Sequence, residues 1–566
     1  MKTKRAHTFS EQLAVNFTNT TEKHFHPNDH PILQKIFFTV QDKNFQSNFE
    51  IQNKEKENQR NEAFTRVIDQ GPIARDQYRK LAALQPELPR ETTIYKTKKR
   101  INEEMNYAIP ISILNILDQP SFTPINENSD INDLEVIEEV LKYIGKAGYH
   151  KITDILLFIL PDLVNRHVLN PDDPIINLRI SGDGRNVGRK VKHVIITCTI
   201  LDDTINLYKS DYHYTVILCP GTESYELLQK MMEPVASELN DLVSNGLKDL
   251  NGKIWTIKPH FSSDWKFMAI VLGFNAPNSK YFCPWCLCTK ENIGNKNKVY
   301  TIEKNMDQIK LAFLNNNSSI KPPPGHIKPP LLYMIPLNHY VPDELHIMLR
   351  IWDRLWDLVI QELKAQNQFN DLTRVKIIAE MRRISVSFHF WQDHGTQNWA
   401  YTSLMGGDKE NVLKNFNFGI IFNEERALLI NNLWRNFYQL YNNMKSQKTS
   451  PIQFANQARR WLDLFLTPSQ GEPNTTTFKK GLYRPKDVTP YMHILVHHLP
   501  EFMEQHWKFG LGAFSCAPVE KKNHDQVSSF FRKTMKDGGK GVERKSAIFE
   551  ILNYENRSIY FLKKVL

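Results

Sequence analysis

Residues 177–184 read Asn-Leu-Arg-Ile-Ser-Gly-Asp-Gly, a short β-rich run that closes on the turn residue Gly184 and carries an acid at Asp183. Two more runs of the same kind follow, HVIITCTIL at 193–201 and YHYTVILC at 212–219, bounded by Asp202-Asp203 and Pro220-Gly221. Three adjacent strands are therefore expected. Next, Ser224 to Leu242 has the spacing of an amphipathic helix, with Pro234 as a point of kinking. Residues 252–263, GKIWTIKPHFSS, supply a fourth strand, and the apolar run WKFMAIVLGF at 265–274 suits a helix.

Working outward from this core, residues 1–105 are polar, rich in Asn, Gln and Lys, and include the charged run KEKENQRNE. Such a segment is expected to be partly disordered and to contain little core. Helical spacing from Arg75 to Leu84, and from Leu134 through Ile137 and Leu141 to Ile144, predicts helices there; residues 106–175 read as a helical lead-in. The first part of the core takes in 176–289. Residues 290–490 lose the strand signal and carry long helical patterns at Leu345–Leu363 and Glu424–Met444, broken at KPPPGHIKPPLLYMIP and TPSQGEPNTTTFKKG. This predicts an all-α insertion. Residues 491–566 return to the core through Met492–Phe502, Glu520–Met535 and Ala547–Leu566.

The 566 residues suffice for two to four domains. Charged residues make up 24% and the hydrophobic set 41%, values of an ordinary globular chain. No apolar stretch reaches the roughly 18 residues a membrane span needs, and the polar start MKTKRAHTFSEQLAVNF lacks a signal-peptide core, so an intracellular protein is expected. A formal charge of +10 permits a polyanionic partner without requiring one.

The order β-β-β-α-β is that of an RNase H-like fold, a mixed sheet with flanking helices in which the first and fourth strands are neighbours. Asp183 on the first strand and Asp264 after the fourth would then face each other across one strand spacing. Hard oxygen ligands so placed suit Mg²⁺ or Mn²⁺, and phosphodiester chemistry with two metals requires a third carboxylate. An Asp followed by Gly is also an ordinary turn residue. Six cysteines are too few for a disulfide scaffold, and three crowd into Cys283-Pro-Trp-Cys286-Leu-Cys288. Cys283-x2-Cys286 is half a tetrahedral Zn²⁺ site, which His493 and His498 can complete, with His497 as a substitute. Residues five apart on a helix diverge by about 140°, so one of the pair would lie past the helix end. A redox pair at Cys283 and Cys286, and ordinary buried histidines, are the competing readings.

These residues, in this order, resemble the catalytic core of DDE-type transposases, in particular the family of the V(D)J recombinase large subunit and the Transib-type transposases, from about Arg179 to the C-terminus. Asp183-Gly resembles the first catalytic aspartate of that family and His260-Phe-Ser-Ser-Asp264 the second, ahead of the Cys-x2-Cys pair. Glu223-Ser-Tyr-Glu resembles the acidic opening of the helix after the third strand. Asp343-Glu-Leu-His346 is similar to a D-x-x-H signature that lies near the active site. In the family a histidine pair five apart completes the zinc site, and the last glutamate lies about twenty residues beyond it. Glu520 takes that place, with Asp525 as runner-up.

The resemblance implies a nuclear enzyme that cleaves double-stranded DNA and transfers strands with two Mg²⁺ or Mn²⁺ ions on Asp183, Asp264 and Glu520. It further implies a Zn²⁺ that staples the two ends of the insertion, a homodimer, and an accessory subunit for DNA recognition, since no zinc finger or helix-turn-helix is visible in the sequence. Arg185, Arg189, Lys190, Lys521, Lys522, Arg532 and Lys533, with Lys536, Lys540, Arg544 and Lys545, would meet phosphate; a solvated helix face explains them equally well. The other functional classes are a catalytically inactive, domesticated protein that binds DNA or chromatin, and a redox protein.

Overall fold

The computed structural model describes most of the chain from residue 33 onward; 116–145, 188–190, 315–319, 534–546, 564–566, most of 1–32 and several shorter gaps lie outside the described residues. The expected helix from Leu134 to Ile144 falls in one of them. The chain divides into two compact units, Met1–Met105 with Tyr560–Val565, and Asn106–Ile559 with Leu566.

In the smaller unit an antiparallel hairpin, β1 (Lys35–Val40) and β2 (Lys43–Asn48), precedes the helices α1 (Lys54–Gln70), α2 (Arg75–Leu84) and α3 (Glu91–Ala108). The bounds of α2 are those its spacing predicts. The expectation of little core here is corrected, because Ile68, Tyr78, Ala82 and Ile94 are buried together with Phe64, Ile73 and Leu88 packed against them. The run KEKENQRNE opens α1 rather than fraying. Its Glu62 is buried and takes up Arg100 and the hydroxyl of Tyr560, while Lys56, Glu57 and Arg60 are exposed.

The larger unit is built on a seven-stranded mixed sheet in the order β3-β4-β7-β6-β5-β9-β8. Its strands are β3 (Ser112–Asn115), β4 (Lys146–Tyr149), β5 (Ile175–Val187), β6 (Val191–Ile200), β7 (Tyr214–Pro220), β8 (Leu247–Lys248) and β9 (Ile254–Phe261). All neighbours are antiparallel except β5 and β9, which run parallel. Helix α4 (Ile152–Asn165), apolar along most of its length, lies in the expected helical lead-in, which is corrected in that β3 and β4 of the sheet fall in the same stretch. The crossover to β9 is α5 (Tyr225–Asn245), which starts where the Ser224 hydroxyl accepts the Leu227 N–H and runs through Pro234 without ending.

The first strand is longer than its turn residues predict, and Asp183 lies inside it with pairing that continues to Val187. Both flanking glycines answer to close packing and not to a turn. A Cβ on Gly182 would run into the ring of Phe267 from α6 (Trp265–Val271), and one on Gly184 into the carboxylate of Glu223.

The insertion carries α7 (Met306–Leu314), α8 (Glu344–Ala365), α9 (Asp371–Arg383), α10 (Gly406–Asn415), α11 (Glu424–Lys445) and α12 (Pro451–Phe465), and holds a buried aromatic cluster of Trp352, Trp356, Trp434, Phe388, Phe416 and Phe418. It is not all-α. A three-residue hairpin, β10 (Phe390–Gln392) with β11 (Trp399–Tyr401), uses aromatic residues too few in number to show a period. Nor is it wholly separate, since Val341 donates to the Phe261 carbonyl at 2.9 Å at the end of β9. The chain returns through α13 (Pro490–His497), α14 (Leu499–Gln505), α15 (Ala517–Lys533) and α16 (Ala547–Lys563), whose Ile548, Ile551 and Leu552 pack on Ile195 and Leu218 of the sheet. Among the described residues no helix is long and apolar enough to cross a membrane.

Candidate active site and metal centre

Parallel pairing of β5 with β9 is what brings the two aspartates together. Ile175 pairs with Thr256 and Ile180 with Phe261, so partners differ by 81 in number, as do Asp183 and Asp264. Past the last pair the strands stay in step, with Ser262 N donating to Ile180 O at 3.1 Å and Ser263 Oγ to Gly182 O at 2.6 Å. Adjacent strands lie about 4.8 Å apart, which sets the scale of the separation. Asp264 also caps α6, its Oδ1 accepting the Phe267 N–H at 2.6 Å.

Glu520 is in the first turn of α15, on the same helix as a residue bonded to Asp183 and close to His346. Its Oε1 lies 3.7 Å from His346 Nε2, and the His346 ring feels the charge of Asp264. One helical turn further on, Asn523 Nδ2 donates to Asp183 Oδ2 at 2.6 Å. The D-x-x-H motif forms the bridge: Asp343 caps α8, takes His346 Nδ1 at 2.5 Å on one oxygen and the Cys516 N–H at 2.9 Å on the other. Burial pulls the His346 ring down, but the bond to Asp343, with Asp264 and Glu520 adding, pushes it up to about 9. Asp525, the runner-up, is exposed on the outer face of α15.

Glu223 brings a fourth carboxylate beside the pair and is bonded to Lys266. Burial holds its carboxyl above the usual range, opposed by Lys266 and reinforced by Asp264 and Asp183. Three residues with no sequence motif complete the surroundings. Arg179, fully buried, donates to Ser181 Oγ at 2.8 Å and to the carbonyls of Ala513 and Ser515 at 2.6 and 2.7 Å. Together with Ser262 Oγ, which donates to Phe514 O at 2.7 Å, it holds the segment before α15 against β5 and β9. The third and second of the unforeseen residues, His193 and Asn523, bond to each other at 2.5 Å. Asn523 stands three after Glu520, a helical spacing that does point to one face; nothing in the sequence marks His193 or Arg179.

Of the basic residues expected at DNA, Lys521 is exposed, but Lys522 corrects its expectation. It is buried, 2.7 Å from Glu555 Oε1, because α15 turns that position toward α16. The side chains of Arg185, Arg532 and Lys533, and the whole of Arg189, Lys190, Lys536, Lys540, Arg544 and Lys545, lie outside the described residues.

The second constellation is closed. Cys283, Cys286, His493 and His498 are buried, and their ligand atoms all lie within 4.8 Å of one another. Cys283 Sγ is 3.3 Å from His498 Nε2, Cys286 Sγ 3.3 Å from His493 Nε2, and the two Nε2 atoms are 3.2 Å apart. Tetrahedral bonds of 2.0–2.3 Å to one zinc ion imply ligand separations of roughly 3.3 to 3.8 Å, so two thiols and two imidazoles at these distances fit that ion. His498 sits at the end of α13, past the helix, as the angular divergence requires. Its Nδ1 meets Glu501 Oε2 at 3.0 Å, the carboxylate support typical of a ligating histidine. His497 adjoins the group without entering it. All six cysteines are free.

Among the described residues this Cys/His group is the one whose ligand atoms gather so closely; the carboxylates are set wider. Neither the models of known protein families nor the curated proteins contain a match to this chain.

Proposed function

We propose that this chain is a DDE-type DNA transposase or recombinase-like nuclease with an RNase H-like core, in which Asp183, Asp264 and Glu520 hold two Mg²⁺ or Mn²⁺ ions. The observation that carries the reading is the parallel register of β5 and β9, which puts Asp183 and Asp264 at matching positions, with Asn523 of the Glu520 helix bonded to Asp183 and His346 3.7 Å from Glu520. The run β7-β6-β5-β9, three antiparallel strands and then a parallel one, supports the RNase H-like assignment. Divalent ions at these acids supply the positive charge that steadies the attacking and leaving oxygens of a phosphodiester.

The chain's own part is to gather and aim the acids. Asp264 is fixed by the Phe267 N–H of α6, Glu520 by the clamped segment before α15, and the D-x-x-H pair stands beside Glu520. A Zn²⁺ on Cys283, Cys286, His493 and His498 staples the exit of the insertion to its return. Double-stranded DNA is the substrate, with Lys521 as a phosphate contact, in a nuclear homodimer assisted by an accessory DNA-recognition subunit.

A strand-nicking assay on the purified chain, with Mg²⁺ or Mn²⁺ and a supercoiled plasmid, tests the chemistry. Nicking by the native chain and its loss in Asp183→Asn are expected. Activity that survives Asp183→Asn refutes the assignment, whereas DNA binding with no nicking by the native chain selects the domesticated, inactive alternative.

A further inference from the structure

We infer that Asn523, oriented by His193, is a positioning residue that sets the Asp183 carboxylate and its spacing from Glu520. This rests on the carboxylate pocket proposed above. Asn523 is wholly buried, and its amide spans two groups, with Nδ2 2.6 Å from Asp183 Oδ2 and Oδ1 2.5 Å from His193 Nε2. A carboxylate only accepts hydrogen bonds, so the amide must show Asp183 its NH₂ and His193 its carbonyl. His193 Nε2 then has to be the donor. Turning the amide over would set a carbonyl against a carboxylate, so the bond from His193 fixes the direction of the whole chain.

The sheet explains why an intermediary is needed. Asp183 pairs with Ile195 and Arg185 with His193, which makes Asp183 and His193 diagonal neighbours on antiparallel strands. Such positions are about 7–8 Å apart, too far for a direct bond and wide enough for one amide. Because Asn523 follows Glu520 by three on α15, the two share a helix face. The amide that holds Asp183 therefore also fixes how α15, and Glu520 with it, lies over β5. In a connected polar chain of this kind each bond orients the next, so removing one member costs more than its own hydrogen bond.

The test reads metal affinity, which needs neither DNA nor turnover. The full chain is titrated with Mn²⁺ alone and free Mn²⁺ is followed by electron paramagnetic resonance, with zinc content and circular dichroism as controls. Asn523→Ala should raise the half-saturating Mn²⁺ concentration roughly tenfold, the low end for losing a residue that orients a metal ligand. His193→Phe, which keeps the bulk and loses the donor, should do the same, and His193→Gln, which keeps an N–H, should stay near the native value. Should Asn523→Ala fail to fold, the two His193 variants decide the matter by themselves. Native-like Mn²⁺ affinity in Asn523→Ala or His193→Phe, alongside its loss in Asp183→Asn, overturns the positioning role and leaves the carboxylate pocket standing. A native chain that takes up no Mn²⁺, or an Asp183→Asn variant that binds it undiminished, overturns both.

Discussion

Glu344 follows directly on the Asp343 that orients His346, and the two carboxyls are driven in opposite directions. Burial pushes Glu344 up to about 8, the charge of Asp343 adds to it, and its Oε2 is buried without a hydrogen-bond partner. Asp343 is just as buried, but its bonds from His346 and the Cys516 N–H prevail and hold it low. Folded Glu344 keeps its proton to about pH 8, whereas the unfolded chain gives it up near the ordinary value of 4.5. Across that window unfolding releases a proton, so stability falls as pH rises and levels off above it. Glu344→Gln should match the native chain near pH 5 and melt several degrees higher above pH 8; parallel melting curves at both pH values would show that Glu344 is not held neutral. Legibility at this scale follows residue type. Asp183 and Asp264 stand out because acids beside short apolar β-rich runs are chemically conspicuous, and Glu520 only because a resemblance to a known family points to that place. A neutral amide at 523, an imidazole at 193 and an arginine at 179 carry no such mark, and their importance arises only from being dry and bonded.

At the level of elements, α15 is set by what precedes it. Arg179 on β5 satisfies the carbonyls of Ala513 and Ser515, and Asp343 the N–H of Cys516, so the last residues before the helix have few ways to move. Arg179→Met leaves two carbonyls without donors in a buried place and should lower the unfolding free energy by about 3 kcal/mol, read from urea denaturation. Arg179→Lys should recover little, because one ammonium cannot reproduce the planar fork. Unchanged stability in Arg179→Met would mean that the segment is held otherwise. The elements legible in the sequence are those long enough to show a period, among them α2, α5, α8 and α11. Strands β3, β4 and β8, with two to four residues each, exist only because a neighbouring strand offers hydrogen bonds. The same holds for β10 and β11, which break the expected all-α insertion.

Across the larger unit, the Cys/His group joins the stretch just after α6 to α13, and so links the two ends of more than two hundred intervening residues. Closing so long a loop is where a metal contributes most to folding. One zinc per chain is expected in freshly purified protein by elemental analysis. Cys283→Ser should lose it and unfold at lower temperature, with the helical insertion melting apart from the sheet; a zinc-free native chain with an undisturbed melt would remove the staple. The sequence by itself determined which residues could do chemistry and which segments alternate or repeat as strands and helices, since side-chain type and local period are properties of neighbours along the chain. Only the tertiary structure decided how far β5 runs on past Asp183, that Lys522 turns inward, and that a histidine and an asparagine 330 residues apart meet beside one carboxylate. Register, burial and partnership depend on packing between distant segments, and no local pattern encodes them.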